Sequence, residues 1–164
     1  MRSITVAVAG GTYSIHIGGG LLGRLAEYVA PLAPTSILVV SNEVVAPLHG
    51  DKAIAGLREV ARTTLLSLPD GESTKRWDSV ACILDALVAH GADRKSVVVA
   101  LGGGVIGDLA GFAASIYMRG IRVVHHDSPN FLSPPAFLEA HLATRKKPFM
   151  ARFYEAQRKR MNLL

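Results

Sequence analysis

The chain has 164 residues, of which 49% are hydrophobic and 19% are charged, a balance typical of one folded globular domain. Residues 1–138 hold 11 basic and 11 acidic side chains, whereas residues 139–164 hold seven basic and two acidic ones. The net charge of +5 therefore comes entirely from the end of the chain. A neutral body argues against specific nucleic-acid binding, since a basic tail alone binds polyanions weakly.

The sequence carries no signal for a membrane or secreted protein. Its start, Met1-Arg2-Ser3, leads into alternating residues, and no stretch approaches the roughly 18 apolar residues that span a bilayer. We therefore expect a cytoplasmic protein. The single cysteine, Cys82, excludes an intrachain disulfide, and its place in an apolar helical pattern predicts a buried structural thiol.

The first part of the chain alternates between strand and helix patterns. The sequence predicts two strands, at 4–8 and 13–17, around a Gly10-Gly11 turn, followed by a helix at 21–29. It then predicts a strand buried on both faces at 37–40, a second helix at 53–60 and a further strand at 63–68. We place residues 41–43 in the loop that comes after the buried strand.

The second part continues the alternation, and its clearest element is a helix with a predicted apolar face made of Trp77, Val80, Ala81, Leu84, Leu87 and Val88. Gly91 is placed to end this helix. A buried strand at 96–101, a helix at about 108–118 and a strand starting at residue 121 complete the series. Such alternation requires crossover connections, so we predict an α/β fold with a mostly parallel, Rossmann-like sheet and flanking helices.

The periodicity stops after Val124. Residues 125–164 contain adjacent prolines and a basic run but no helical or strand pattern. We therefore divide the chain into a Rossmann-like domain over 1–124 and a divergent basic tail over 125–164, which we interpret as disordered or not native to the domain.

The chemical centre of the sequence is a glycine turn after a buried strand. Gly102, Gly104 and Gly107 have the G-x-G-x-x-G spacing, and they lie between the apolar run 97–101 and the start of a helix. In this context glycines let the backbone approach a pyrophosphate, and free N–H groups at the helix start point toward it. The alternative is a tight turn that only allows close helix–sheet packing.

A second candidate segment is the loop from Pro69 to Lys75. Pro69, Asp70 and Gly71 are typical turn residues, and the loop leaves the carboxyl end of a predicted strand, where ligands bind in open α/β sheets. Carboxylates accept hydrogen bonds from ribose hydroxyls, and Lys75 can offset phosphate charge. The same residues would also serve as an ordinary turn and helix start.

Other polar residues give weaker signals. Arg119 suits a carboxylate or phosphate ligand, but a cation near a helix C-terminus is favourable without any ligand. Asp127 has the spacing of a ribose-binding acid but lies where the pattern breaks down. The six histidines show no metal-ligand spacing, and we find no catalytic triad, so we interpret the histidines as surface or core residues.

Three motifs together resemble 3-dehydroquinate synthase over roughly residues 1–124. The first is the long segment from Leu101 to Ala114, which continues to Tyr117-Met118-Arg119-Gly120. The segment 69–72 with Lys75 resembles the family's second nucleotide-contacting loop, and 41–47 resembles its first. The long glycine motif is far more specific than a bare G-x-G-x-x-G.

The resemblance implies an activity and cofactors. This family converts 3-deoxy-arabino-heptulosonate 7-phosphate, a phosphorylated keto-sugar acid, to 3-dehydroquinate with loss of phosphate, the second step of the shikimate pathway. It uses bound NAD and a divalent metal, zinc or cobalt. The resemblance also allows a homodimer like that of the family.

The resemblance also implies residue roles. Arg119 would bind the substrate. The expected NAD-binding residues come from the three motifs and are Asn42, Asp70, Gly71, Glu72, Lys75, Gly103, Gly104, Val105, Ile106, Gly107 and Asp108.

The sequence departs from the family after Ile121. The family's Thr-Thr and Gly-Gly-Lys segments are missing, and residues 125–130 stand in their place. Its metal ligands lie in a helical C-terminal domain that this chain is too short to contain. We therefore expect a truncated or frame-disrupted product that lacks these ligands and is inactive alone. The alternatives are a related sugar-phosphate cyclase, a glycerol-dehydrogenase-like oxidoreductase and a non-catalytic nucleotide-binding remnant.

Overall fold

The computed structural model describes residues 2–8 and 11–127. The strands are β1 (Arg2–Val8), β2 (Gly11–Ile17), β3 (Ser36–Asn42), β4 (Arg62–Leu68), β5 (Val97–Leu101) and β6 (Arg122–His126). The α-helices are α1 (Leu25–Val29), α2 (Asp51–Arg58), α3 (Trp77–Ala89) and α4 (Gly104–Ile116). Short 3₁₀ or π-helical turns cover Leu21–Arg24, Ala30–Leu32, Ala46–Gly50, Glu72–Thr74 and Tyr117–Arg119.

Strands β3 to β6 form a fully parallel sheet in the order β4-β3-β5-β6. Residues of β3 and β5 are buried on both faces, which explains their continuous apolar runs. Helices α3 and α4 pack on the face that presents Leu38 and Val98, whereas α1 and α2 pack on the face that presents Val39 and Val99. The predicted α/β fold with a Rossmann-like parallel sheet is confirmed.

The predicted N-terminal strand pair is also present, as an antiparallel hairpin outside the main sheet. Its second strand begins at Gly11, two residues before the predicted start, and residues 9 and 10 of the predicted turn lie outside the described residues. The His16 ring contacts the ring of Tyr28 on α1, with 4.5 Å between their centroids. This contact connects the hairpin to α1 and so to the main α/β domain.

The buried face of α3 differs from the predicted one. The helix buries Val80, Ile83 and Leu87, whereas Trp77 is 49% and Val88 is 66% exposed. The prediction combined two apolar stripes of this helix, and only one of them faces the sheet. Gly91 does come after the helix as predicted, with a positive φ of 62°.

Cys82 is exposed, so the predicted buried thiol is wrong. Its neighbour Ile83 is fully buried, and adjacent residues on a helix point about 100° apart. Because α3 is apolar on more than its buried face, the sequence pattern around Cys82 did not distinguish the two directions.

Helix α4 begins at Gly104, four residues before the predicted start, and ends at Ile116. Glycine is a poor helix former, but here it allows close packing. A side chain at Gly107 or Gly111 would meet the His125 ring on β6, at 3.3 Å and 3.5 Å from the nearest ring atoms. Strand β6 likewise extends to His126, past the predicted boundary at residue 124.

The α3 packing makes a testable prediction. Ile83→Ala should lower the free energy of unfolding by about 2–5 kcal/mol, because it leaves a cavity beside the sheet. Cys82→Ala is the matched control on the next residue and should change this free energy by less than about 0.5 kcal/mol. Urea denaturation measures both values. A native thiol that reacts slowly with a disulfide reagent would contradict the exposed position of Cys82.

Candidate nucleotide-binding site

The site lies where the winding of the sheet reverses direction. After β3 the chain enters α2 on one face of the sheet, and after β5 it enters α4 on the opposite face. Strands β3 and β5 are neighbours, so their carboxyl ends border a crevice between the two departing connections. Ligands of open α/β sheets bind at such switch points.

The glycine turn opens into this crevice. Gly103 is extended, with φ −78° and ψ −168°, and α4 starts at the next residue. The Gly107 amide donates to the Gly103 carbonyl at 3.0 Å, so the amides of Gly104 to Ile106 precede the first intrahelical hydrogen bond. Among the described residues, no side chain caps this N-terminus. Its free donors suit an anionic group.

Two glycines in this segment have different local surroundings. A Cβ on Gly104 would meet nothing within 4 Å, so the turn has open space on that side. A Cβ on Gly102 would lie 3.2 Å from two side-chain atoms of Ile106. Gly102 therefore lies in a closely packed position, whereas Gly104 leaves room for a ligand to approach the backbone.

The segments after β3 and β4 are joined by side-chain contacts. The Asn42 amide nitrogen donates to the Asp70 carboxylate at 2.5 Å, and the Asn42 Oδ1 accepts from the Val45 amide at 2.8 Å. Sequence analysis placed Asn42 in a loop, but it is the last residue of β3 and is only 6% exposed. The interaction brings two predicted site residues together at one edge of the sheet.

Glu43 completes this junction and was not singled out from the sequence. Its amide donates to the Leu68 carbonyl at 2.9 Å, and its carboxylate accepts from the Asp70 amide at 3.4 Å. Only the topology reveals this role, because the two segments are far apart in the sequence and meet through the pairing of β3 with β4.

Lys75 connects the Pro69 loop to α4. Its ammonium lies 2.7 Å from Asp108 Oδ2 and 3.2 Å from Glu72 Oε1. Partial burial lowers the pKa of Lys75, but the hydrogen bonds and charges of Asp108 and Glu72 outweigh this effect and raise the pKa above its usual value. The lysine is therefore a permanent cation one helical turn from the glycine turn.

Arg119 lies at the end of the sheet opposite the carboxyl ends of the strands. Helix α4 has 13 residues and runs back from the carboxyl edge, so it spans about 20 Å. At its far end the Tyr117 hydroxyl donates to the Ala92 carbonyl at 2.9 Å, just before β5 begins. The structure therefore groups the other predicted site residues but separates Arg119 from them.

Two histidines lie on the α2 side of the crevice. His126 ends β6, and burial lowers its pKa, as does the nearby His49, while Asp127 opposes the shift. The Nε2 of His49 is buried without a hydrogen-bond partner among the described residues. Burial and the proximity of His49 therefore favour the neutral imidazole of His126.

The described residues contain neither a metal cluster nor a membrane-spanning helix. Within 2–8 and 11–127, no three His, Cys, Asp or Glu side chains lie close enough together to hold a metal ion. Over the same ranges, no helix is both long enough and apolar enough to cross a membrane. Asp127 is exposed next to His126.

Comparison with known proteins identifies relatives over most of the chain. Residues 65–131 match the model of the 3-dehydroquinate synthase N-terminal family. The 3-dehydroquinate synthase of Bordetella pertussis is 49% identical over 125 residues, which cover 76% of this chain and 35% of that enzyme. The enzyme of Halalkalibacterium halodurans is 43% identical over 124 residues, covering 76% of this chain and 34% of that enzyme. The chain thus spans about a third of the length of these relatives.

Solved structures with the same fold include two sugar-phosphate cyclases. A 2-deoxy-scyllo-inosose synthase complexed with carbaglucose-6-phosphate, NAD⁺ and Co²⁺ superposes with a TM-score of 0.70 at 25% identity, covering 77% of this chain and 34% of that one. The 2-epi-5-epi-valiolone synthase of Streptomyces hygroscopicus, with NAD⁺ and Zn²⁺ bound, superposes with a TM-score of 0.60 at 30% identity, covering 73% and 33%.

An open parallel sheet with a glycine turn at its switch point defines a Rossmann-like α/β domain of the kind found in sugar-phosphate cyclases. The segment 65–131, which includes the glycine turn and the loop with Lys75, is similar to the 3-dehydroquinate synthase N-terminal family.

The lowered pKa of His126 predicts acid sensitivity of the fold. The unfolded chain takes up this proton near pH 6.5, whereas the folded chain takes it up only at lower pH. Stability present above about pH 6.5 should therefore be lost as the pH falls through the folded-state pKa. His126→Gln should make the unfolding free energy less dependent on pH between about pH 7.5 and about pH 5.5 in urea denaturation. An equally steep loss in the variant would contradict this assignment.

Proposed function

We propose that the chain is the NAD-binding part of a sugar-phosphate cyclase of the 3-dehydroquinate synthase type. The observation that carries the proposal is the uncapped start of α4 at the switch point, with Lys75 held beside it by Asp108. A dinucleotide diphosphate has the charge that suits this crevice, since several backbone N–H groups and one ammonium border it.

Bound NAD would supply transient oxidation of a substrate hydroxyl, which acidifies the neighbouring C–H and is later reversed. The chain's own residues would bind and orient the dinucleotide. We propose that the amides of Gly104, Val105 and Ile106, with that of Gly103, hold the diphosphate, because they precede the helical hydrogen bonds. Gly107 would serve close packing instead, because its amide donates to Gly103.

The segments after β3 and β4 would hold the adenosine side of the dinucleotide. Asp70 and Glu72 provide carboxylates for ribose hydroxyls, Asn42 fixes Asp70 and Gly71 has a positive φ of 94° that shapes the loop. Lys75 would share its charge between Asp108 and the phosphates. No metal step is proposed for these residues, because the described part of the chain lacks a donor set for a divalent ion.

We propose that Arg119 binds substrate in the site of another copy of the chain. About 20 Å of α4 separates it from the glycine turn, so it cannot reach a substrate held beside NAD in the same subunit. In a homodimer of the kind the family resemblance allows, its guanidinium could bind the substrate carboxylate or phosphate of the partner's site. The substrate we propose is the seven-carbon phosphorylated keto acid of the shikimate pathway, used in the cytoplasm.

Gly104→Ala separates ligand binding from folding. A methyl group there meets nothing within 4 Å, and alanine favours a helix, so the variant should be at least as stable as the wild type. It should nevertheless weaken NAD binding by about tenfold or more, because the methyl group occupies the approach to the amides. Isothermal titration calorimetry with NAD measures the affinity.

Gly111→Ala is the matched control two turns along the same helix. Its Cβ would make an ordinary contact of 3.5 Å with the His125 ring, far from the turn, so NAD affinity should not change. Wild-type affinity in Gly104→Ala, or no NAD binding by the wild-type chain, would contradict the proposed site.

Catalysis should require more than this chain, which spans only 35% of the length of a relative. We expect the purified 164-residue protein to bind NAD but to release no phosphate from the seven-carbon substrate in a phosphate assay. Phosphate release would show that these residues suffice for the reaction. Oxidation of glycerol would instead favour an oxidoreductase.

A further inference from the structure

The first peptide unit of the glycine turn, between Leu101 and Gly102, is held at both ends. The Leu101 carbonyl accepts a hydrogen bond of 2.7 Å from the Ser41 hydroxyl on β3. The Gly102 amide donates to the His126 carbonyl on β6 at 3.1 Å. Because a peptide unit is planar and rigid, these two bonds to different strands fix its orientation.

Ser41 acts where the main-chain ladder ends. The pairing of β3 with β5 runs from Ile37 opposite Val97 to Val40 opposite Ala100, and stops there. The strands then part to form the crevice, and the Ser41 hydroxyl supplies a hydrogen bond one residue beyond the last pair. Ser41 and Leu101 are both 0% exposed, so water cannot replace this bond.

The orientation of this peptide sets the direction in which the glycine turn leaves β5. Gly103 and Gly104 have no side chains that could fix the turn, so its direction depends on the rigid units before and after it. The unit after it is α4, whose first turn contacts Gly102 through Ile106. The unit before it is the peptide that Ser41 holds.

We infer that Ser41 is a positioning residue that aims the amides of the glycine turn at the dinucleotide diphosphate. This inference rests on the proposed NAD site and assigns Ser41 no contact with the ligand. Sequence analysis placed Ser41 in a loop, whereas it is a buried residue of β3.

Strand β3 provides a matched control at its other end. Ser36 is also buried, at 2% exposure, and its hydroxyl lies 2.9 Å from the Ser96 hydroxyl. Ser36→Ala therefore removes a buried serine hydrogen bond from the same strand without touching the glycine turn. Any effect of lost stability alone should appear in both variants.

The test compares Ser41→Ala, Ser41→Thr and Ser36→Ala in the full 164-residue chain. Amide exchange of Gly102 is measured by NMR without ligand, the NAD dissociation constant by calorimetry, and global stability by urea denaturation. Ser41→Ala should accelerate Gly102 exchange about tenfold and weaken NAD binding about five- to tenfold. Ser41→Thr keeps the hydroxyl and should restore both values, and Ser36→Ala should lower stability alone.

The inference would be overturned if the Gly102 amide in Ser41→Ala exchanges at the wild-type rate. It would also be overturned if Ser36→Ala accelerates this exchange as much as Ser41→Ala does. If Ser41→Ala does not fold, Ser41→Cys retains nearly the same volume with a weaker donor and should change both values in the same direction. If the wild-type chain fails to bind NAD, the proposed function is wrong, but Gly102 exchange still decides whether Ser41 holds the turn.

Discussion

The parting of β3 and β5 is the constraint on which the site depends. Two neighbouring parallel strands normally stay hydrogen-bonded along their length. Here β3 and β5 part, because the connections that leave them pack on opposite faces of the sheet. The backbone groups beyond the last ladder pair therefore lose their regular partners and need other ones. Side chains of Ser41 and Asn42 supply some of these bonds, and the amides at the start of α4 remain available. The proposed anion site is thus a consequence of the topology.

Small residues on α4 make this geometry possible. Buried Ala110, Ala113 and Ala114 bring the helix close to the sheet, and Gly107 and Gly111 admit the His125 ring of β6. Close approach places the helix start directly at the end of β5, with only two residues between them. A side chain at Gly107, whose Cβ would lie 3.3 Å from the His125 ring, or side chains larger than alanine elsewhere on this face, would move the free amides away from the crevice.

Much of this arrangement could be predicted from the sequence. Continuous apolar runs identified β3 and β5 because both strands are buried on two faces, and the glycine spacing after β5 identified the turn. The start of α4 could not be found, because glycine propensity is unfavourable and only packing against β6 overrides it. Cys82 and Val88 were assigned to the wrong face of α3. The helix has more than one apolar stripe, and the sequence pattern alone does not show which stripe packs on the sheet.

The separation of Arg119 from the turn results from tertiary structure and not from the motif. Both lie in one continuous signature, yet the 13-residue helix between them carries the arginine to the far edge of the sheet. Glu43 and Ser41 were missed for a related reason. Their partners are Asp70, Leu68 and Leu101, and strand pairing alone brings these residues near.

The ion pairs of Lys75 have a thermodynamic consequence for any phosphate ligand. Because its two carboxylate partners keep the lysine fully protonated near neutral pH, the charge that meets the phosphates is present before the ligand arrives. Binding at this group then exchanges one anionic neighbour for another without proton uptake from the buffer. Heats of association measured in buffers of different ionisation enthalpy would not differ on account of Lys75.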